Sequence, residues 1–233
     1  MTPAEIPDAD RAAYCHPSRP FWLSERECAC TLSHFRAMRQ LLEGDAPFAL
    51  VLEDDLVLSP RLPAFLKQVE ADPIPFDLLR VETCEKRIRV LPAEAPVGDV
   101  EIVRFIGYDS GAGGYLVSRR GAERVLAAED ARLRPIDQAL FDSEAPMARR
   151  LVVRQTVPGL CIQSKEPGAA MTALESDIGN GDARPVIEAQ WAWRHRLSRL
   201  SRALHRDTIT AAKKQWFQRV SGGRLLCIPF AAS

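Results

Sequence analysis

The chain has 233 residues, of which 46% are hydrophobic, and its formal net charge is zero. This length and apolar content suit one α/β domain, or one domain with an appendage, and exclude low-complexity and repeat proteins. The neutral total hides a division, because residues 184–233 hold ten Lys and Arg residues against two acidic ones. A basic tail on an acidic body predicts an anionic partner, either lipid headgroups or nucleic acid.

The six cysteines contain no Cys-x-x-Cys pair, and no histidine cluster accompanies them. Their spacing supports neither a zinc site nor a compact disulfide scaffold, so we expect reduced thiols. The first ten residues are polar and include three acids, which excludes a secretory signal, and no run approaches the length of a membrane span. We therefore expect a cytoplasmic protein, or one that is peripheral at the inner face of the membrane.

The proline-rich residues 1–23 predict a loop. Ser24 and Glu27 have the spacing of a capping box, and apolar residues then recur at helical spacing as far as Leu42, so a helix is expected to begin at Ser24. The apolar run 48–52 predicts a buried strand.

Strands and helices then alternate along the chain. The predicted strands cover 76–82, 87–90, 100–105, 115–118 and 151–157, and the predicted helices cover 60–70, 119–129, a short segment after 133, and 186–219. Residues 91–97 and 158–184 are expected to be loops. The alternation predicts an α/β fold with a mostly parallel sheet and helices on both faces.

Three consecutive carboxylates, Glu53, Asp54 and Asp55, follow the strand 48–52. Burying unpaired carboxylates is costly, and a hard cation such as Mg²⁺ or Mn²⁺ offsets that cost while sharing oxygen ligands with phosphates. Ligands of open α/β sheets bind at the carboxyl ends of strands. The segment predicts a metal–diphosphate site, and the alternative is a solvated acidic turn.

Four short motifs occur in order along the chain. They are Cys30-Thr31-Leu32-Ser33-His34, Leu52-Glu53-Asp54-Asp55, the stretch from Gly111 to Ala122, and the stretch from Pro135 to Leu140. Together they resemble glycosyltransferase family 25, whose relatives include bacterial β-galactosyltransferases and collagen-modifying galactosyltransferases. The resemblance covers roughly residues 24–160. It implies a GT-A-like, Rossmann-type fold, a nucleotide-diphospho-sugar donor with a UDP-sugar expected, and a surface-glycan or lipopolysaccharide-type acceptor, with galactose as the family-level sugar.

The resemblance assigns the acidic strand end the role of an Asp-x-Asp motif. Asp55 would ligate Mn²⁺ or Mg²⁺, Glu53 would lie at the ribose or at a water bound to the metal, and Asp54 would support them. A divalent cation there neutralises the charge that develops on the departing nucleoside diphosphate.

An inverting transfer also needs a base that deprotonates the acceptor hydroxyl. Asp137 is the best candidate, and the alternative is that it caps a helix. His34 is a candidate for contact with donor or acceptor, although a histidine on an apolar helix face is more often structural.

The glycine-rich run before Tyr115 is expected to let the backbone approach a ligand, so Gly113 and Gly114 are predicted to line the sugar or acceptor pocket. The alternative is a flexible turn. Tyr115 is predicted to stack on a sugar ring, with a core position as the alternative. Arg119 and Arg120 either face phosphate or are solvated.

Relatives begin with a strand that reads Ile-Tyr-Val-Ile-Asn-Leu-Asp-Arg, and residues 1–21 contain no such run. Either the true start lies upstream or the protein is a shortened form. We expect this first strand to be missing from the chain, which would remove part of the nucleotide pocket and expose a sheet edge. The alternative function is a shortened, non-catalytic GT-A-like scaffold that acts as a membrane-associated interaction protein. A third hypothesis is a different metal-dependent phosphate enzyme.

Two units are expected, a glycosyltransferase domain at 1–184 and a basic helical tail at 185–233. In the tail, Trp193, Leu197 and Leu200 recur at helical spacing, which predicts an interfacial helix on anionic lipid. The alternative is a helix docked on the core. No nucleic-acid motif is present, so nucleic acid is not expected as a partner.

Overall fold

The computed structural model describes residues 1–15, 22–108, 110–164 and 222–232. The helices in these residues are α1 (Asp8–Tyr14), α2 (Glu25–Glu43), α3 (Leu62–Ala71), α4 (Arg119–Ala127) and α5 (Ile136–Phe141). The strands are β1 (Phe48–Leu52), β2 (Leu56–Leu58), β3 (Leu78–Arg80), β4 (Glu82–Thr83), β5 (Arg87–Val90), β6 (Ala95–Val97), β7 (Val100–Val103), β8 (Phe105–Ile106), β9 (Gly114–Ser118), β10 (Val153–Val157), β11 (Cys161–Gln163) and β12 (Arg224–Cys227). None of the helices described has the length and apolar character needed to cross a bilayer.

Six strands form the main sheet in the order β1-β9-β3-β10-β7-β6. Within it only the β3–β10 pair is parallel, and the other pairs are antiparallel. The prediction of a mostly parallel sheet is therefore wrong. The main cause is β9, which lies between β1 and β3 and runs against both, so that Gly114 at its start pairs with Leu52 at the end of β1. This register places the glycine-rich run beside the acidic strand end.

Helices flank the main sheet on both faces, as predicted. On β9, Tyr115 and Val117 pack in one core with Phe35 of α2. Leu116, between them, packs in a second core with Phe65 of α3. This alternation follows the two-residue period of a strand, and it makes the fold a layered α/β structure.

Helix α2 begins where the sequence predicts. The Ser24 hydroxyl accepts a hydrogen bond from the Glu27 amide (3.2 Å), and the Glu27 carboxylate accepts one from the Ser24 amide (2.9 Å), which completes the capping box. The cap fixes the start of the helix, and thereby the positions of Cys30 and His34 further along it.

Other segments differ from the predictions. Strand β1 lies at an edge of the main sheet, where Val51 is its only buried residue, so the expectation of a buried strand is wrong. Helix α1 lies in the predicted loop 1–23, and β6 contains Pro96, which an edge strand tolerates. Strand β12 pairs with β5, which lies far away in the chain, so no local sequence pattern predicts this pairing.

Two parts of the predictions lie beyond what the structure tests. The helical tail at 186–219 falls outside the described residues, so the lipid contact and the two-unit division stay predictions. Ahead of Phe48 the described residues contain helices and no strand. The missing first strand of the family also stays a prediction.

The arginines that follow β9 have structural partners. Arg119 donates to the carbonyl oxygens of Leu41 (2.8 Å) and Gly44 (2.5 Å) and so caps the end of α2. Arg120 Nε lies 2.6 Å from the carboxylate of Asp77, which is fully buried. Both arginines therefore have partners within the protein, and Arg120 remains about half exposed to solvent.

Replacing Asp77 by Ala is expected to lower the free energy of unfolding by about 2–3 kcal/mol, because Asp77 also accepts from the Val152 amide (2.8 Å) and from Arg124 (2.9 Å). The two arginines are about half exposed and can regain water, which limits the loss. Urea unfolding measures the change. The control is Glu144→Ala, whose exposed pair with Arg149 should contribute less than about 0.5 kcal/mol. Equal losses in the two variants would contradict the assignment.

Candidate functional site

Two clefts open on the same side chains at the end of β1. The strand-end cleft, with a volume of about 630 Å³, is lined by Glu53, Asp54 and Asp55 together with residues of α2 and the N-terminal segment. The glycine-loop cleft, of about 300 Å³, is lined by residues that include Gly111 and Asp137. Glu53 lines both clefts, as does Cys30 of α2. The sequence motifs therefore converge in space, with one carboxylate in the wall between two cavities.

Backbone hydrogen bonds hold the acidic strand end on both sides. The Glu53 amide donates to the carbonyl of Gly113 (2.8 Å), and the Ser164 amide donates to the carbonyl of Asp55 (2.8 Å). The Asp54 side chain is exposed, and Glu53 and Asp55 are partly exposed. Their carboxylate oxygens are the ligands that Mg²⁺ and Mn²⁺ prefer, so this segment can hold a hard cation at the cleft surface.

His34 connects α2 to the strand end. Its ring is 4% exposed, with Nδ1 2.8 Å from the Tyr115 hydroxyl and Nε2 3.4 Å from Glu53 Oε1. One turn earlier, the Cys30 thiol donates to the same Oε1 at 3.6 Å. Burial, and after it the negative charge of Glu53, raises the pKa of Cys30 above the usual range of a thiol.

Tyr115 is a core residue, and the prediction that it stacks on a sugar is wrong. The side chain is fully buried and lines neither cleft. Its ring lies parallel to that of His34, with centroids 5.7 Å apart, and meets the ring of Phe141 edge-on at 5.6 Å. Burial raises the pKa of Tyr115 well above its ordinary value. The hydroxyl is therefore a neutral partner that orients the imidazole of His34.

Gly113 and Gly114, which the sequence predicts to line a ligand pocket, are both buried and belong to neither of these two cleft walls, and their contact with a ligand stays a prediction. A Cβ on Gly114 would lie 2.2 Å from the sulfur of Cys161, so this glycine permits close packing of strands. Gly111 lines the glycine-loop cleft instead, and its φ of +95° is a conformation that favours glycine.

A buried ion pair forms hydrogen bonds with the backbone of the glycine-rich segment. Arg80 and Glu82 are both fully buried, with Nη2 and Oε2 3.5 Å apart. The Arg80 guanidinium donates to the carbonyl of Ser110 (2.5 Å), and Glu82 accepts from the amide of Gly113 (2.9 Å). Neither residue was predicted as part of the site. The available signal was two charged residues two positions apart in the apolar stretch 78–84, where a strand places both on one face.

Asp137 lies in the wall of the glycine-loop cleft. Its Oδ2 accepts hydrogen bonds from the Tyr108 hydroxyl and from the Gly111 amide (3.3 Å), and its Oδ1 accepts from the Gln138 amide (2.8 Å). The N-cap of α5 is Pro135, so the alternative that Asp137 is the N-cap residue is wrong. Asp137 shares this cleft with Cys30 and Glu53, the two residues that also line the strand-end cleft.

At pH 8 an alkylating reagent is expected to modify Cys227 at least about 100-fold faster than Cys28, because only the thiolate reacts. Cys227 is exposed, whereas burial raises the pKa of Cys28 to about 12. Mass spectrometry of peptides taken at successive times gives the two rates. In urea the difference should vanish. Equal rates in the folded protein would show that Cys28 is not protected.

Comparisons with known proteins place the chain among sugar transferases. A family model described as glycosyltransferase family 25 (LPS biosynthesis protein) matches residues 12–140. Procollagen galactosyltransferase 1-B of Xenopus laevis is 32% identical over 123 residues, which is 51% of this chain and 20% of that protein. Lacto-N-neotetraose biosynthesis glycosyltransferase LgtB of Neisseria meningitidis is 30% identical over 154 residues, 61% of this chain and 54% of the relative. Lipooligosaccharide biosynthesis protein lic2B of Haemophilus influenzae is 27% identical over 157 residues, 60% of this chain and 55% of the relative.

The alignments are partial on both sides. They span 54–55% of these two bacterial relatives and 20% of the procollagen enzyme. The matched residues 12–140 include Cys30, His34, Glu53 and Asp137, so the similarity covers most of the lining of both clefts.

Proposed function

Because the chain belongs to glycosyltransferase family 25, we propose that it transfers a sugar from a nucleotide-diphospho-sugar to a glycan acceptor of the lipopolysaccharide type. The observation that carries this proposal is the position of Glu53 in the wall between two clefts, where a donor and an acceptor would meet. The names of two relatives, a procollagen galactosyltransferase and a lacto-N-neotetraose biosynthesis enzyme, favour galactose as the sugar and therefore UDP-galactose as the donor to test first.

The donor diphosphate is assigned to the strand-end cleft, in a GT-A-like arrangement. Asp55 and Glu53 would hold Mn²⁺ or Mg²⁺ there, with Asp54 in support, since all three residues line the cleft. When bound, the cation neutralises the negative charge of the leaving diphosphate. The contact of His34 with Glu53 gives the histidine a positioning role, because it restricts the orientation of that carboxylate.

The acceptor is assigned to the glycine-loop cleft, with Asp137 as the base of an inverting transfer. Tyr108 and the Gly111 amide hold Oδ2 in place, so the carboxylate is oriented before the acceptor arrives. Asp137 takes the proton of the acceptor hydroxyl as that oxygen attacks the anomeric carbon from the side opposite the diphosphate. The side chain of Glu53 would separate the diphosphate from the acceptor.

The basic tail supplies a further part of the proposal. Its nine Lys and Arg residues would bring a cytoplasmic enzyme to an anionic membrane surface, where a lipid-linked acceptor would be available.

Calorimetric titration with UDP-galactose tests the donor site. Wild-type protein is expected to bind UDP-galactose only when Mn²⁺ is present. Asp55→Asn should weaken that binding at least about tenfold, because replacing even a residue that only contacts a metal ligand lowers metal affinity by about that factor. Asp45→Asn, an exposed carboxylate in the turn before β1, is the matched control and should bind like the wild type. Binding that needs no cation and is unchanged in Asp55→Asn would contradict the metal assignment. No binding of UDP or UDP-galactose would contradict the donor class.

A further inference from the structure

Three side chains of different chemistry meet in the wall between the clefts. The ligand atoms of Cys30, His34 and Glu53 all lie within 4.8 Å of one another. We propose that these three residues bind a thiophilic divalent cation, Zn²⁺, at a site separate in chemistry from the oxygen ligands of Asp54 and Asp55. Cysteine spacing alone predicted no zinc site, because only folding brings Glu53 of the strand end against α2.

Two of the three ligand separations match those around a tetrahedral ion, and the third lies within 4.8 Å. With Zn–S near about 2.3 Å and Zn–N and Zn–O near about 2.0 Å, tetrahedral angles place sulfur and oxygen about 3.5 Å apart and nitrogen and oxygen about 3.3 Å apart. Cys30 Sγ lies 3.6 Å from Glu53 Oε1, and His34 Nε2 lies 3.4 Å from the same oxygen. A zinc ion could therefore replace the hydrogen bonds to Oε1 with little change in the sulfur–oxygen and nitrogen–oxygen distances.

The surroundings hold the ligands in position. Cys30 and His34 lie one turn apart on α2, so both project from the same face of the helix. The Tyr115 hydroxyl, in a fully buried side chain, contacts His34 Nδ1 at 2.8 Å and leaves Nε2 directed at Glu53. Zinc-ligating histidines characteristically use their second nitrogen in such an outer-shell contact, which fixes the ring.

The donor set selects the metal. Sulfur and imidazole ligands favour Zn²⁺ over Mn²⁺ and Mg²⁺, which prefer sites made of oxygen. Because Cys30 and Glu53 line both clefts, a fourth position on the ion would face solvent and take a water molecule. The thiol proton of Cys30 leaves to solvent as the Zn–S bond forms.

One consequence rests on the proposed function. Zn²⁺ held by Glu53 would compete for the carboxylate assigned to the donor-bound Mn²⁺, so micromolar zinc would inhibit transfer while millimolar Mn²⁺ supports it. The binding of Zn²⁺ itself does not depend on any transferase activity.

The test uses the full chain, reduced and stripped of metal, titrated with Co²⁺ as a spectroscopic probe for Zn²⁺. We expect a thiolate-to-cobalt charge-transfer band in the near ultraviolet, which one equivalent of Zn²⁺ removes. Cys30→Ser should abolish this band and weaken Zn²⁺ binding at least about tenfold. Cys28→Ser, on the same helix, and Cys227→Ser, an exposed thiol, are matched controls that should keep it.

Further variants separate this proposal from the first. Tyr115→Phe removes only the outer-shell hydroxyl and should weaken Zn²⁺ binding about tenfold while the band remains. Asp55→Asn should weaken donor binding yet keep the cobalt band, so failure of one proposal does not imply failure of the other. Circular dichroism melting establishes that each variant is folded. A band that is absent from the wild type, that persists in Cys30→Ser, or that disappears in Cys28→Ser would overturn the site.

Discussion

Replacing Asp137 by Asn is expected to lower kcat by about 10²- to 10⁴-fold, the range that a positioned general base contributes. The amide has nearly the same shape as the carboxylate but cannot take the proton of the acceptor hydroxyl. The affinity for UDP-galactose, measured by calorimetric titration, should change less than threefold, because Asp137 lines the glycine-loop cleft whereas Asp54 and Asp55 line the strand-end cleft. Initial rates at saturating donor and acceptor give kcat.

The control for this substitution lies at the other end of the same helix. Asp142 follows α5 and lines neither cleft, so Asp142→Asn should keep the wild-type kcat. If Asp137→Asn retains more than a tenth of the wild-type kcat, Asp137 is not the base. If the variant loses donor binding to the same degree as kcat, its role is structural.

Replacing Arg80 by Met is expected to lower the free energy of unfolding by about 3–5 kcal/mol, the cost of removing one partner of a buried ion pair. Arg80 and Glu82 are both fully buried, so the Glu82 carboxylate would lose an adjacent positive charge where water cannot replace it. The guanidinium also lies 5.5 Å from the centre of the Phe141 ring, a contact that Met only partly reproduces. Urea denaturation monitored by circular dichroism gives the difference.

The double variant Arg80→Met with Glu82→Gln is the informative comparison. Removing both charges should restore most of the lost stability, because the uncompensated buried charge is then gone. Arg224→Met breaks an exposed pair with Glu101 and should cost less than about 1 kcal/mol. A double variant as unstable as Arg80→Met would show that packing, rather than charge, accounts for the loss.

Local signals in the sequence predicted the elements that depend on neighbours in the chain. The capping box of Ser24 and Glu27 fixed the start of α2, and the apolar run before Glu53 located β1. These features depend on contacts a few residues apart, for which sequence spacing is sufficient. The motif order also identified Glu53 and Asp137, which the fold places in the walls of two adjoining clefts.

Features that depend on distant pairing were beyond the sequence. The insertion of β9 between β1 and β3 sets Gly114 beside Leu52, and no local pattern specifies that partner or its direction. The same insertion buries Tyr115, which a strand pattern alone leaves free to face either side. Arg80 and Glu82 resemble surface charges in the sequence and become core residues only because sheet and helices cover them.

Because Glu53 lines both clefts, we expect ligands bound in the two clefts to be thermodynamically linked. Any ligand that immobilises this carboxylate in one cleft alters the binding free energy in the other, and the two effects must be equal in size. A coupling of about 1–3 kcal/mol, typical of linked sites, corresponds to about a 5- to 150-fold change in affinity. Donor and acceptor binding are therefore expected to be coupled through one side chain, so that whichever substrate binds first alters the affinity of the other cleft for the second.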